Sequence, residues 1–222
     1  FAVSLNATAV TTFPTDKIRA LFAYLALEPG QPHRREALAG LLWPEMEQAT
    51  ALRNLRLALD RLRDTLDNVQ PGVSDSLIQS TRQTIQLTPA LLTVDVQRFQ
   101  ALLTTCAAHP HPSLLACPAC RARLAQAVDL YRSELLTGFA LTDAPAFEEW
   151  LLLRRETLHQ QALGALHTLV QHYEQQGNDE QAHHYASRQL ALDPGREEAH
   201  RQLIRSLARR GLRSEALAQY ES

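Results

Sequence analysis

All three cysteines of this 222-residue chain lie within one stretch of fifteen residues, together with two of its nine histidines. The Cys-x-x-Cys pair of this stretch is Cys117 and Cys120, and His109 and His111 precede it. A Cys-x-x-Cys turn can supply two thiolates to zinc, and two imidazoles from a nearby loop would complete a tetrahedral shell. Because four protein ligands leave no position for water, the pattern indicates a structural metal rather than a hydrolytic one.

Other interpretations of the same stretch stay open. Cys106 is a spare candidate ligand, and the spacing is not that of a common zinc finger. A proline-rich loop can also carry cysteine and histidine incidentally. A redox pair at Cys117 and Cys120 is a third interpretation, although the βαβ context of such motifs is missing from the sequence.

Catalytic motifs are missing from the rest of the sequence. It has no phosphate-binding glycine loop, no His-Glu-x-x-His and no Gly-x-Ser-x-Gly, and its remaining histidines lie in helical patterns that favour packed or surface roles. We therefore predict that the chain is not an enzyme. No run of about 18 apolar residues occurs, which excludes a membrane-spanning helix. An odd number of cysteines makes no disulfide framework, so we expect a reducing, cytoplasmic setting.

The segment 48–66 has the most regular helical pattern in the N-terminal half. Its leucines recur at steps of three and four and form one stripe, at Leu52, Leu55, Leu59, Leu62 and Leu66. At about 100° per residue, the opposite side carries polar and basic residues. A helix with one packed side and one polar side fits the major groove of DNA, so this segment is the candidate recognition helix.

Arginine pairs with guanine and asparagine with adenine, so Arg53, Asn54 and Arg61 are the candidate base contacts. Thr50 and Leu57 could touch thymine methyl groups. The candidate phosphate contacts are four further arginines, Arg34, Arg35, Arg63 and Arg82. The alternative is a solvated helix face, because Asp60 and Asp64 lie among these arginines and can form ion pairs along the helix.

The order of elements supports the DNA-binding interpretation. The first dozen residues suit a short strand and turn, and helical patterns follow from about residue 16 to Pro29, over 34–42 and over 48–66. Residues 77–80 and 84–87 alternate around a turn that contains Arg82, which predicts a β-hairpin. Strand, three helices and hairpin is the order of a winged helix, which we assign to residues 1–89.

From Val94 onward the pattern is wholly helical, with predicted helices from about residue 117 to 136 and from 144 to 176. An internal repeat of about 34 residues relates Gly177 to Gly211 and Ala182 to Ala216. That period is typical of tetratricopeptide helix pairs. The predicted fold is therefore mainly α: a winged helix-turn-helix with a small hairpin, followed by an all-α tetratricopeptide-like repeat domain over residues 90–222.

The sequence resembles the SARP-type regulators, the antibiotic-regulatory-protein family of bacterial activators. The matching stretches of the N-terminal half are DKIRALFAYLAL at 16–27, REALAGLLWP at 35–44 and NLRLALDRLR at 54–63. The later half resembles the bacterial transcriptional activator domain of these proteins in DVQRF at 95–99, AVDLY at 127–131, FEEW at 147–150 and GLRSEALAQY at 211–220. The order and spacing of these stretches carry the resemblance.

This resemblance implies an OmpR-like winged helix on a helical domain, binding to double-stranded promoter DNA and contact with RNA polymerase. It also allows a homodimer on repeated sites. The chain starts at Phe1 and stops within a helical pattern, so we expect a piece of a larger regulator. The loop that contains His109 and Cys120 resembles that of a subset of large regulators, which supports zinc. His33 stands where the family has a capping Ser or Thr. The alternative function is a protein-interaction scaffold that does not bind DNA.

Overall fold

The computed structural model describes residues 3–5, 8–88, 92–111 and 113–221. The chain forms two compact units. The first unit comprises Phe1–Gln97 and Leu135–Arg155, and the second comprises Arg98–Glu134 and Glu156–Ser222. The fold is mainly α, with small N-terminal sheets and C-terminal helical repeats, as the sequence predicts. The predicted domain boundary after residue 89 stays a prediction, and the compact grouping adds residues 135–155 to the N-terminal part.

The first unit contains six short strands and four helices among its described residues before residue 95. In chain order these elements are β1 (Val3–Leu5), β2 (Thr8–Ala9), α1 (Asp16–Leu27), β3 (His33–Arg34), α2 (Arg35–Leu42), α3 (Gln48–Val69), α4 (Val73–Leu77), β4 (Ile78–Ser80), β5 (Thr84–Leu87) and β6 (Leu92–Val94). The predicted strand, three helices and hairpin are all present in this order.

Two antiparallel three-stranded sheets flank the helices of the first unit. One sheet has the order β2-β1-β6, with Ser4 of β1 opposite Thr93 of β6. The other has the order β3-β5-β4, with Gln79 opposite Gln86 in the hairpin. Since β3 pairs with β5, the second sheet joins the start of α2 to the hairpin.

The three predicted helices of the first unit, α1, α2 and α3, begin where the sequence places them, within about one residue. The side chain of Thr15 accepts a hydrogen bond from the backbone N–H of Ile18, which caps α1. The N-terminus of α2 at Arg34 has no side-chain cap among the described residues. His33 lies just before it, and its ring packs edge-on against Tyr24 with centroids 5.1 Å apart. His33 thus packs rather than caps.

Three elements of the first unit were not predicted: β3, α4 and β6. Both strands are two or three residues long and exist because they pair with distant strands. Val94 therefore lies in a strand, whereas the sequence pattern placed it at the start of the helical part. The short helix α4 depends on Asp67, whose carboxylate accepts hydrogen bonds from the backbone N–H of Ser74 at 2.9 Å and from its hydroxyl at 2.8 Å.

Residues 135–155 pack on the winged helix within the first unit. The Lys17 ammonium lies 2.8 Å from the Asp143 carboxylate, and the rings of Tyr24 and Trp150 have centroids 4.8 Å apart. Arg155 donates hydrogen bonds to the carbonyls of Leu135 and Leu136, both at 2.8 Å. These interactions fix in place the non-helical residues 135–144 and the start of the helix that follows them.

The described helices that begin after residue 94 are α5 (Asp95–Ala108), α6 (Pro118–Leu130), α7 (Pro145–Gln175), α8 (Asp179–Leu192), α9 (Glu197–Arg209) and α10 (Arg213–Glu221). The predicted extension of the helix at 117 to residue 136 is wrong, since α6 ends at Leu130. Leu136 has a positive φ of 52°, which no helix accommodates, and its carbonyl is held by Arg155. None of the helices in the described ranges is long and apolar enough to cross a membrane.

The 34-residue repeat corresponds to two helix pairs of the second unit. Gly177 lies in the turn that joins α7 to α8 and has a φ of 70°. Gly211 lies in the equivalent turn that joins α9 to α10 and has a φ of 79°. Ala182 and Ala216 are buried at equivalent positions after these turns. The side-chain amide of Gln189 donates to that of Gln202 over 2.9 Å inside the stack, so a buried polar contact joins the two pairs.

Candidate nucleic-acid interface and metal centre

Helix α3 has one buried side and one exposed side. Its buried residues are Ala51, Leu55, Ala58, Leu59, Leu62 and Leu66. Leu52, which the sequence placed in the same stripe, is only half-buried because the small residues Ala51 and Ala58 take up part of the contact with the core. The leucine stripe therefore anchors α3 as predicted, but the buried side of the helix is shifted slightly from Leu52 toward the two alanines.

The predicted base-contacting residues share the opposite side of α3. Thr50, Arg53 and Arg61 are exposed, and Leu57 retains 49% of its surface area. Asn54 is half-buried, and its Nδ2 donates to Met46 Sδ over 3.3 Å. Four of the five side chains are thus free to meet a ligand, and the fifth is held by a weak sulfur acceptor.

The hairpin is attached to the helices by two arginines. Arg35, at the start of α2, donates from Nε to the carbonyl of Thr81 over 2.9 Å. Its Nη2 and the Nη2 of Arg63 on α3 both donate to Ser80 Oγ, each over 3.2 Å. Burial lowers the pKa of Arg35, and the neighbouring Arg63 charge lowers it further. These two residues were predicted as phosphate contacts, and the structure gives them internal hydrogen bonds as well.

Two of the predicted phosphate contacts are exposed. Arg34 lies at the end of β3, and Arg82 lies in the turn between β4 and β5. Acidic side chains also border this surface, because Asp60 and Asp64 are exposed on α3. Arg63 Nη1 lies 3.4 Å from the Asp60 carboxylate. The positive charge is therefore local, in keeping with the net charge of −2 for the chain.

The loop between α5 and α6 brings the predicted metal ligands together. His109 Nδ1 lies 3.6 Å from Cys117 Sγ and 3.5 Å from Cys120 Sγ. The ligand atoms of His109, His111 and Cys120 all lie within 4.8 Å of one another. His111 Nε2 is buried and has no hydrogen-bond partner among the described residues. His109, His111 and Cys120 therefore form one close set of possible ligands, and Cys117 Sγ, which is not in that set, adjoins it through His109.

Cys106 differs from the other two cysteines. Its Sγ donates to the backbone carbonyl of Cys120 over 3.5 Å, whereas the sulfurs of Cys117 and Cys120 lie beside His109 Nδ1. Burial raises the pKa of its thiol to about 11, which disfavours the thiolate. In contrast, the backbone N–H of Cys120 lowers the pKa of Cys117. Cys117 and Cys120, whose sulfurs both lie beside His109 Nδ1, are the better pair of metal-binding sulfurs.

Comparison with known proteins identifies the family. Residues 94–222, more than half of the chain, match the family described as the bacterial transcriptional activator domain. The chain belongs to this family. Its resemblance to the SARP-type transcriptional activators, first seen in short sequence stretches, is thereby confirmed. No curated protein sequence matches this chain.

One solved structure with the same fold is Mycobacterium tuberculosis EmbR in complex with a low affinity phosphopeptide. The superposition has a TM-score of 0.67 at 19% sequence identity and covers 98% of the activator chain and 55% of the EmbR chain. The activator chain therefore spans about half the length of the structure that it matches. At this identity the likeness concerns the fold.

Three residues that support these sites in the activator were not found from the sequence. Ser80 and Met46 contact the predicted DNA-binding side chains, and their residue types gave no signal. His172 is buried at 3% exposure, with Nδ1 beside the carbonyl of Leu115 and Nε2 3.3 Å from Arg121 Nη1. It holds the metal-candidate loop against α7 in the second unit. Only a contact between distant segments of the chain reveals it.

Proposed function

We propose that this activator binds double-stranded promoter DNA in a sequence-specific manner through α3 and the hairpin. The observation that carries the proposal is the exposure of Arg53 and Arg61 on the side of α3 that faces away from its buried ridge. A helix whose apolar side is fixed in a core can present its polar side to the major groove without rearrangement. The hairpin attached beside it supplies the second contact of a winged helix.

The spacing of the two arginines fits contacts with separate base pairs. Eight residues of α-helix advance about 12 Å, which corresponds to between three and four base pairs at about 3.4 Å each. Each guanidinium can donate two hydrogen bonds to a guanine edge. Asn54 can add an adenine contact, because giving up a hydrogen bond to the Met46 sulfur costs little. Thr50 and Leu57 provide apolar contact for a thymine methyl group.

Phosphate contacts would come from the arginines beside α3. Arg34 and Arg82 are exposed and can reach the backbone directly. Arg35 and Arg63 each carry five N–H donors, of which the internal hydrogen bonds use only some. They can therefore hold the hairpin and contact a phosphate at the same time. Since the chain is acidic overall, these few contacts would dominate non-specific affinity.

We further propose that the chain activates transcription as part of a larger bacterial regulator. Membership of an activator family supports contact with RNA polymerase, and the chain covers only 55% of the matched EmbR chain. Two copies could occupy repeated promoter sites, since a homodimer on DNA pairs two recognition helices with two half-sites. A crosslinking assay with RNA polymerase on a bound promoter tests the first point.

The test of DNA binding starts without a known promoter. The chain is used to select duplexes from a random pool, and nuclease protection is then measured on the region upstream of its own gene. We expect the selected duplexes to share a short motif and the protected region to contain that motif. Recovery of random sequences without protection would contradict the proposal.

A second candidate function is a protein-interaction scaffold built on the helical repeats. The observation that favours it is the exposure of Leu217 and Tyr220 on α10, at 64% and 80% of their surface area. Exposed apolar side chains on a repeat domain are typical of protein-binding faces. Two results together would favour the scaffold over DNA binding. The chain would bind every duplex equally and weakly, and the parent chain would retain a protein partner that the Tyr220→Ala variant loses.

A further inference from the structure

We propose that His109, His111, Cys117 and Cys120 bind one zinc ion, and that Cys106 is not a ligand. The site would close the loop between α5 and α6 in the second unit. It is independent of the proposed DNA-binding function, because none of its residues belongs to α3 or to the hairpin.

The distances around His109 are those of a tetrahedral zinc site. Zinc binds sulfur at about 2.3 Å and histidine nitrogen at about 2.0 to 2.1 Å, so a tetrahedral angle separates the two ligand atoms by about 3.6 Å. His109 Nδ1 lies 3.6 Å from the sulfur of Cys117 and 3.5 Å from that of Cys120. Two edges of the coordination shell are therefore already in place without an ion.

The fourth ligand is identified by an unpaired atom. His111 Nε2 is buried and has no hydrogen-bond partner in the described part of the chain. A buried polar atom without a partner costs free energy, and most such atoms in proteins are paired. The ligand atoms of His111, His109 and Cys120 lie within 4.8 Å of one another, which exceeds the edges of a tetrahedral shell by at most about 1.5 Å. A metal ion would satisfy this atom.

Positive charge and a helix N-terminus lie beside the proposed site. Arg123 Nη1 donates to Cys120 Sγ over 3.8 Å and so lies next to one proposed ligand. Cys117 lies at the N-terminus of α6, where the helix dipole favours an anion. Cys106 and Cys120 both lie in the core, and each sulfur donates to the backbone carbonyl of the other residue, over 3.5 Å and 4.0 Å. Cys120 Sγ is in addition 3.5 Å from His109 Nδ1, which makes it the ligand of the two.

The ion would stabilise the core of the second unit. Cys106 and Cys120 belong to its buried cluster with Leu124 and Val128, and Leu114 of the loop packs against that cluster. A zinc ion held by both sides of the loop would join the end of α5 to the start of α6. Structural zinc sites contribute folding free energy in this way.

The first experiment measures bound metal. The chain is purified under reducing conditions without added zinc and is analysed by elemental mass spectrometry, and the zinc is then exchanged for Co²⁺. We expect about one equivalent of zinc per chain. We expect the cobalt-substituted chain to show the ligand-field absorption of a tetrahedral site and a thiolate-to-metal charge-transfer band. Less than about a tenth of an equivalent, even after incubation with zinc, would overturn the proposal.

The second experiment assigns the ligands. Cys117→Ser and His111→Gln are expected to weaken zinc binding, measured by competition with a chromophoric chelator, by about tenfold or more. Cys106→Ala is the matched control and is expected to retain one equivalent. Circular dichroism checks that each variant is folded. Equal zinc content in Cys117→Ser and the parent chain would overturn the ligand set, as would loss of zinc from a folded Cys106→Ala.

A third measurement separates zinc from the competing interpretations. A chelator is expected to lower the melting temperature of the parent chain and to leave that of Cys117→Ser unchanged. If the imidazole of His109 merely accepted hydrogen bonds from two thiols, the chelator would change the melting temperature of neither protein. All three thiols would then also react in the unfolded chain. That result, or a Cys117–Cys120 disulfide found by mass spectrometry in place of the metal, contradicts the proposal.

Discussion

Arg35 and Arg63 donate hydrogen bonds to the same acceptor, Ser80 Oγ, each over 3.2 Å. Arg35 begins α2, Arg63 lies on α3, and Ser80 ends the first strand of the hairpin. Two like charges that would otherwise repel are thus held side by side by one hydroxyl. The hairpin is consequently fixed to the same helix that presents the candidate base contacts.

The change Ser80→Ala tests this connection. Loss of the shared acceptor removes two charge-assisted hydrogen bonds at an exposed site, so we expect a loss of about 0.5 to 1.5 kcal/mol in unfolding free energy. Affinity for all duplexes should fall several-fold, because the hairpin is no longer held beside α3. Urea denaturation and fluorescence anisotropy measure the two effects. The control is Ser133→Ala, an exposed serine of the second unit. Unchanged DNA affinity in Ser80→Ala would mean that the hairpin is not positioned by this contact.

The change Arg82→Ala tests a pure phosphate contact. Arg82 is exposed in the hairpin turn, so its removal should weaken binding to specific and unrelated duplexes by the same factor. The slope of log affinity against log salt should fall by about one. Arg201→Ala, an exposed arginine on α9, serves as the control for net charge. A slope that changes equally in both variants would indicate a general charge effect instead.

The change Asp67→Ala has a pH-dependent effect on stability. Hydrogen bonds from the backbone and hydroxyl of Ser74 lower the pKa of the Asp67 carboxyl. Because the folded pKa lies below the unfolded one, this stabilisation is present above about pH 4 and is lost as pH falls through the folded pKa. Near neutral pH the variant leaves the buried Ser74 unpaired, which should cost about 1 to 3 kcal/mol. Urea denaturation of both proteins at neutral and acidic pH measures the difference, which should shrink in acid. A difference that grows in acid would contradict this assignment.

Paired glycine substitutions test the repeat architecture. Gly177 has a φ of 70° in the turn between α7 and α8, so Gly177→Ala is expected to destabilise the chain by about 1 to 2 kcal/mol. Gly164 lies within α7, and a Cβ there would meet no atom of the described residues within 4 Å. Gly164→Ala should therefore stabilise by about 0.5 to 1 kcal/mol. Thermal unfolding compares the two variants, and effects of the same sign would contradict the assigned turn.

Local patterns predicted much of this fold. The apolar steps of α1 and α3, the alternation of the hairpin and the 34-residue repeat all depend on neighbouring residues, and all were found. The missed strand β6 forms only because it pairs with β1, about 90 residues earlier in the chain. Likewise, residues 135 and 136, which the sequence pattern placed in a helix, are not helical, and their carbonyls are held by Arg155, about 20 residues later in the chain. Such long-range contacts leave little mark on local periodicity.

The candidate sites divide in the same way. Helical geometry alone placed Arg53 and Arg61 on the exposed side of α3, and the short loop alone placed His109 near Cys120. The sequence could not show that Arg35 and Arg63 share Ser80, because the three residues lie on separate elements. The sequence could name Cys106 only as a spare ligand, because the contacts of the Cys117 and Cys120 sulfurs with His109 depend on the folded loop.

The central claim is that the exposed side of α3 reads base pairs. Its most direct test uses the selected duplex and a panel in which each base pair is replaced in turn. Affinities are measured by anisotropy at one salt concentration for the parent chain, Arg53→Ala, Arg61→Ala and the control Arg201→Ala. Circular dichroism confirms that all four proteins are folded.

Arg53→Ala and Arg61→Ala should each lose about 1 to 3 kcal/mol on the selected duplex. For each variant, the loss should vanish on the duplex in which the base pair contacted by that arginine is replaced. The base pairs identified in this way for Arg53 and Arg61 should lie about three to four base pairs apart. Arg201→Ala should match the parent chain on every duplex. Equal, weak affinity of all four proteins for all duplexes would contradict the claim.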